Sequence, residues 1–349
     1  MNCCTECFQD AQIRAMITAN NQIGECSFCG KENVSIYPID KQTDLSNLIA
    51  DVINVYEKSD EGKPLFQILL DEWNIFNETL ESANELVVAF CSLLFGDCEN
   101  SHYVKRRLPH NIVKDYGVFS GHTWEEFSTA IKNENRFHSG FFNADQFASF
   151  LSYSIKEYPK GTIWHRARIC PNNKGYTINE MGVPPHGKRK AGRINPEGIG
   201  VLYLTSHEET AISEVRASAF DFVSVGKFRL LKDISVISIS DLNHISPLSY
   251  TLNGLEPLAA NLQIFSDIAK EIAKPLRRND SPLEYLPTQY ITEFIKVQNY
   301  AGVKYKSTMA DIGDNIAIFD ESLFKCETVH NVEITKLEYL SKDIISYNN

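Results

Sequence analysis

From Asp44 onward, apolar residues recur at intervals of three and four: Leu45, Leu48, Ile49, Val52 and Ile53. That spacing collects them on one face of an α-helix and predicts a helix with a buried stripe. The same periodicity predicts helices over Leu65–Phe76, Leu86–Leu94, Trp124–Ile131 and Phe147–Ile155, and a shorter one over Phe8–Ile17. Thr123, followed three residues later by Glu126, has the pattern of a capping box, and Asn143 is placed to cap the next helix. Near Tyr158-Pro159-Lys160-Gly161 the pattern changes. Short β-like runs follow at Thr162–His165, Val201–Leu204, Phe222–Phe228, Ser235–Ile239, Val303–Tyr305 and Ile316–Phe319, with one late helix at Gln289–Val297. Breakers such as Pro184-Pro185, Gly192 and Asn195-Pro196 separate them. The expected class is α+β: a mainly helical first part, then a mixed sheet, with a boundary near residue 158.

Length adds that 349 residues exceed one ordinary core and call for two or three domains. The apolar content of 43%, with 20 Phe and 15 Tyr, is that of a globular chain rather than a disordered one. A formal net charge of -11 counts against general nucleic-acid binding, which draws its affinity from Lys and Arg on phosphates. No apolar run is long enough to span a membrane, and the N-terminus lacks the pattern of a secretory signal. The expected location is therefore a reducing cytoplasm, where disulfides are rare and clustered cysteines point to metal.

Five of the nine cysteines lie in the first 29 residues. Cys4-Thr5-Glu6-Cys7 and Cys26-Ser27-Phe28-Cys29 form two Cys-x-x-Cys pairs, with Gly30 directly after the second. Each pair puts two thiolates on one tight turn, and two pairs complete the four-sulfur shell of structural Zn²⁺. The predicted ligands are Cys4, Cys7, Cys26 and Cys29, with Cys3 adjoining as a rival ligand. Such a closed shell leaves no position for a catalytic water. Cys91, Cys98, Cys170 and Cys326 have no partner spacing and read as packing residues.

The second half carries an ordered set of polar landmarks. Trp164-His165-Arg166-Ala167-Arg168 closes a strand with cations, and Gly192-Arg193-Ile194-Asn195-Pro196 forms a loop with a cation. Tyr203 lies in the strand that follows, Thr210-Ala211-Ile212-Ser213-Glu214 in the helix after that, and Ser307 behind a late strand. In this order they resemble the RES domain family over roughly residues 160 to 325. Arg166 matches the arginine after the first strand, Gly192 to Pro196 a Gly-Arg-x-Asn-Pro element, and Glu214 and Ser307 the glutamate and serine of the family name. Ile212 stands where Leu is usual, and the stretch from Lys174 to Lys190 is longer than in the family pattern. The front segment more loosely resembles the N-terminal region of HEPN and RES proteins.

That resemblance implies an ADP-ribosyltransferase-like fold and degradation of NAD⁺ by hydrolysis or phosphorolysis. It divides the chain into a Cys4 zinc module at 1–40, a helical region at 41–158 and a catalytic domain at 159–349. Arg166 and Arg193 suit the diphosphate, because a guanidinium binds two phosphate oxygens at once. Glu214 suits the positive charge that builds on the ribose as nicotinamide leaves. Tyr203 is placed to stack on nicotinamide, Asn195 to line the same site and Ser307 to donate a hydrogen bond. The resemblance also implies a toxin restrained by a helix-turn-helix antitoxin, or controlled here by the chain's own N-terminal region; a homodimer is the default oligomer. Transfer of ADP-ribose to a macromolecule is the alternative outcome of the same bond cleavage. The basic loop from His186 to Arg193, next to zinc knuckles, supports a non-catalytic nucleic-acid module as the rival reading.

Overall fold

The computed structural model describes residues 1–40, 43–77, 79, 81–95, 103–106, 108–171, 174–275, 281–310 and 312–338; Cys98 lies outside them. The chain divides into two compact units, residues 1–154 with 239–271 and residues 155–238 with 272–349.

The first unit begins with three short antiparallel strands, β1 (Asn2–Cys4), β2 (Ile23–Gly24) and β3 (Val34–Pro38), with β3 in the centre. Helix α1 (Ala11–Ala19) starts later than the apolar pattern implied. The reason is Asp10, whose carboxylate accepts from the backbone N–H groups of Gln12 and Ile13 and so fixes the N-cap. Then come α2 (Asp44–Asn54), β4 (Tyr56–Pro64), α3 (Leu65–Asp71), α4 (Ala83–Phe95), β5 (Tyr103–Arg106), α5 (His110–Tyr116), α6 (Trp124–Asn133) and α7 (Ala144–Leu151). Thr123 and Glu126 form the expected capping box on α6, and the Asn143 side chain caps α7. Helix α3 is shorter than the predicted Leu65–Phe76, because the chain turns at Glu72–Trp73, and Trp73, Ile75 and Phe76 bury outside the helix. There the Trp73 indole donates to the Tyr56 hydroxyl, which donates to Glu72, itself paired with Arg106.

The second unit is built on one mixed eight-stranded sheet. Its strands are β6 (Ile155–Tyr158), β7 (Ile163–Ile169), β8 (Leu202–Thr205), β9 (Phe222–Leu230), β10 (Ile234–Ser238), β11 (Gly302–Lys306), β12 (Asp314–Ile318) and β13 (Phe324–Glu333). They lie in the order β13-β9-β7-β8-β12-β11-β10-β6, and β10 with β11 is the parallel pair. Helix α8 (Glu208–Val215) follows β8. After β10 the chain returns to the first unit, where α9 (Glu256–Ala273) contributes Phe265, set edge-on to Phe150. Helix α10 (Leu286–Val297) then leads into β11.

One sheet face is closed by apolar residues from alternate positions: Trp164, Leu202, Leu204, Phe228, Val236, Ile316 and Ile318. The long stretch before Lys190 serves this core rather than looping free. Met181 within it is fully buried against the cluster, with Tyr176 and Val183 packed beside it. Arg168 belongs to the same covering segment: it stacks on Tyr176 at 4.1 Å and donates to the Glu180 carbonyl. Met181→Ala should therefore cost about 2–5 kcal/mol, the range for truncating a buried large side chain. Urea denaturation followed by tryptophan fluorescence measures it; an unchanged midpoint would show that the segment is not part of the core.

Candidate active site

Strands β7 and β9 pair along the whole of β7, but β7 and β8 pair only at His165 and Thr205. Beyond that pair the two strands part, and a cavity of about 520 Å³ opens there, within the second unit. Its volume lies in the range of small-molecule sites. It is lined by Arg166 on β7, Tyr203 on β8, Glu214 on α8, Tyr305 on β11, Asn315 on β12, and the loop from Lys190 to Asn195. Of the residues singled out in the sequence, Arg166, Arg193, Asn195, Tyr203 and Glu214 line this cavity; Ser307 stands behind Glu214.

The charge of the cavity opposes that of the chain. Arg166, Lys190, Arg193, Arg216 and Lys274 line it against one acid, Glu214. Nε and Nη1 of Arg166 are buried and have no hydrogen-bond partner among the described residues. Burial, with repulsion from Arg168 added, pulls its pKa down to about 10, so the guanidinium stays charged at neutral pH. A buried, charged and unpaired guanidinium is costly by itself and is offset only by an anion. Arg193 is held differently: its Nε donates to the Lys274 carbonyl at 2.8 Å, and its guanidinium lies over the Tyr285 ring at 5.3 Å.

Glu214 sits one turn after Ala211 on α8, so both face the sheet and both line the cavity. Its Oε1 accepts from the Ser307 hydroxyl and from the Asn315 amide, each at 2.7 Å. Two neutral donors thus hold the carboxylate in one orientation. Ser307 acts on the site through Glu214, as a positioning residue. Asn315, its equal as a donor, stands out in sequence only as the start of a strand.

The loop Gly192–Asn195 is fixed from behind by α10. The Gln289 amide donates to the carbonyls of Gly192 at 2.7 Å and Asn195 at 3.0 Å. The hydroxyls of Thr288 and Thr292 reach the carbonyls of Arg193 at 2.7 Å and Ile194 at 2.9 Å. Asn195 ties the loop to itself, its amide nitrogen lying within 3.1 Å of the carbonyls of Lys190, Pro196 and Ile199. Its Oδ1 accepts from the Tyr203 hydroxyl at 2.6 Å. Both polar ends of Asn195 are therefore engaged inside the protein, and so is the Tyr203 hydroxyl. A side chain on Gly192 would lie 3.1 Å from both the Asn195 Oδ1 and the Tyr203 hydroxyl, which explains the glycine. These α10 residues escaped the sequence reading because their helix shows only as an apolar stripe. The signal present is three polar residues, Thr288, Gln289 and Thr292, that are buried.

In the first unit the sulfur atoms of Cys4, Cys7, Cys26 and Cys29 all lie within 4.8 Å of one another. The separations Cys4–Cys7 of 3.7 Å, Cys4–Cys29 of 3.5 Å and Cys7–Cys26 of 3.5 Å are close to the ~3.8 Å edge of a tetrahedron with zinc–sulfur bonds of about 2.3 Å. Hydrogen bonding from Cys7 outweighs burial and draws the Cys4 thiol down to about 5. Cys3 points to the opposite face of β1, where its thiol donates to the Tyr37 carbonyl, and burial pushes its pKa up to about 12. It is not one of the four.

A mixed sheet whose two parted strands open on a cationic cavity with one carboxylate defines an α+β domain. Residues 163–339, about half of the chain, match the RES domain family, and the chain belongs to that family. Among curated proteins none matches it. A chain in the crystal structure of the M. tuberculosis MbcT–MbcA toxin–antitoxin complex is similar at 12% identity and a TM-score of 0.32, over 53% of this chain and 91% of that one.

Gln289→Leu keeps the volume, leaves the Gly192 carbonyl without its donor and takes one of two donors from the Asn195 carbonyl. It should lower the stability of the folded chain by about 2 kcal/mol, the cost of burying unsatisfied polar groups. Chemical denaturation measures this, and a midpoint equal to wild type would mean that α10 does not hold the loop.

Proposed function

We propose that the cavity binds NAD⁺ and breaks its nicotinamide–ribose bond. The observation that carries this reading is the pairing of a buried, unpartnered Arg166 guanidinium with a braced Glu214 carboxylate in one cavity. A diphosphate supplies the anion that Arg166 lacks, and Arg193 extends the cationic wall. The bond that breaks joins the ribose carbon to the nicotinamide nitrogen. Its electron pair goes to the ring nitrogen, so nicotinamide leaves neutral and needs no proton. The positive charge passes to the ribose, where Glu214 stabilises it. Water then gives ADP-ribose and a proton; phosphate gives ADP-ribose 1″-phosphate. Tyr203, with its hydroxyl engaged, offers a ring face to the site. Asn195 contributes through the shape of the loop it ties.

In this reading the chain is a growth-arresting toxin or defence effector, because loss of NAD⁺ stops metabolism. Restraint falls to a helix-turn-helix antitoxin or to the N-terminal unit of the chain itself. Among the described residues no helix is long and apolar enough to cross a membrane.

Wild type incubated with NAD⁺ should release nicotinamide, and Glu214→Gln should turn over at least 100-fold more slowly, as for loss of a transition-state charge. Product masses with and without phosphate identify the acceptor. Equal turnover by the two proteins would refute the assignment of Glu214.

We assign the four-cysteine cluster to structural zinc, on the strength of its sulfur separations. The metal would join the Cys4–Cys7 turn to the Cys26–Cys29 turn. Purified protein should carry about one zinc per chain, and Cys26→Ser should lose it together with thermal stability. Elemental analysis and a melting curve test this; a metal-free protein with an unchanged melt would contradict it.

A further inference from the structure

The cavity contains a second phenol that the account above leaves unused. Tyr305 lies on β11 directly opposite Asn315 on β12, and antiparallel partners place their side chains side by side on one face. Asn315 donates to Glu214, and so does Ser307, two residues after Tyr305. Tyr305 therefore belongs to the group that surrounds Glu214, and it lines the cavity. Tyr203 has its hydroxyl engaged by Asn195, whereas no described residue hydrogen-bonds the Tyr305 hydroxyl. Burial, with Tyr203 and Glu214 nearby, raises the Tyr305 pKa well above that of a free phenol. It stays a neutral O–H donor across the working pH range.

The two groups are complementary in a way that selects a ligand chemistry. A carboxylate only accepts hydrogen bonds, and this one has Oε1 already occupied by two donors. A neutral phenol has a proton to donate. An acceptor and a donor side by side fit a group that is both donor and acceptor at once, which is an alcohol. We infer that Tyr305 is a substrate-contacting residue that, with Glu214, grips one sugar hydroxyl: Glu214 accepts a hydrogen bond from it and Tyr305 donates one to its oxygen. This rests on the NAD⁺ reading, in which that hydroxyl is on the ribose carbon next to the bond that breaks.

The experiment pairs Tyr305→Phe with a substrate change. Phenylalanine keeps the ring and the packing and removes only the hydroxyl. Michaelis constants and rates are measured for wild type and variant with NAD⁺ and with NAD⁺ lacking the 2′-hydroxyl of the nicotinamide ribose. With NAD⁺ the variant should lose about tenfold in kcat/KM, the scale of one hydrogen bond. With the deoxy substrate variant and wild type should agree within twofold, because the partner of the phenol is already gone. A merely structural role would give the same loss on both substrates and would overturn the inference, as would no loss on either. Wild type that neither cleaves NAD⁺ nor binds ADP-ribose would overturn the NAD⁺ reading and this inference with it.

Discussion

At His165 and Thr205 the strands β7 and β8 meet in a single residue pair, and what happens beyond that pair determines the site. On its other edge β7 is fully paired with β9, and β8 is fully paired with β12, so neither strand can shift to close the gap. The seam therefore stays open as a cavity, with Arg166 and Tyr203 carried on the two strands that flank it. Strand walls explain how Arg166 can be kept charged where its nitrogens are shielded from water. The cost of that charge is an electrostatic demand for an anion, which in the proposed reading the diphosphate of NAD⁺ supplies. Around the same opening Glu214 supplies the one negative group, and its orientation is fixed by Asn315 on β12 and by Ser307 just after β11.

The remaining wall is a loop, which by itself would wander. Four consecutive carbonyls from Gly192 to Asn195 turn away from the cavity and are taken up by Thr288, Gln289 and Thr292 on α10. Burying those carbonyls without partners would cost more than the loop could offset, so the helix side chains and the loop conformation require each other. The loop thus behaves as an extension of the sheet, and Arg193 enters the cavity from a fixed base.

Much of this was legible from the chain alone where local chemistry decides the outcome. Thr123 and Glu126, Asn143, the two Cys-x-x-Cys turns and most strands of the sheet follow from short-range patterns that folding does not override. Arg166, Glu214 and Ser307 were legible through their order along the chain, which matches a family. What stayed hidden depends on pairing between distant segments. The edge strand β13 alternates weakly, since several of its residues are exposed, and β6 is only four residues long. Helix α9 leaves one unit for the other, which no local pattern marks. Asn315 looks like any strand residue until β12 brings it beside Glu214, and Asn195 looks like a ligand-binding amide until its partners inside the loop are seen. The stretch before Lys190 reads as a loop because its single core residue, Met181, has no periodic neighbours.

The account depends most on the claim that Arg166 is a charge waiting for a phosphate. Calorimetric titration of the protein with ADP-ribose, at several salt concentrations and with Arg166→Met alongside, tests this directly. The prediction is one site per chain, with an affinity that falls as salt rises and is lost in Arg166→Met. No binding by wild type, or equal binding by the variant, would contradict it.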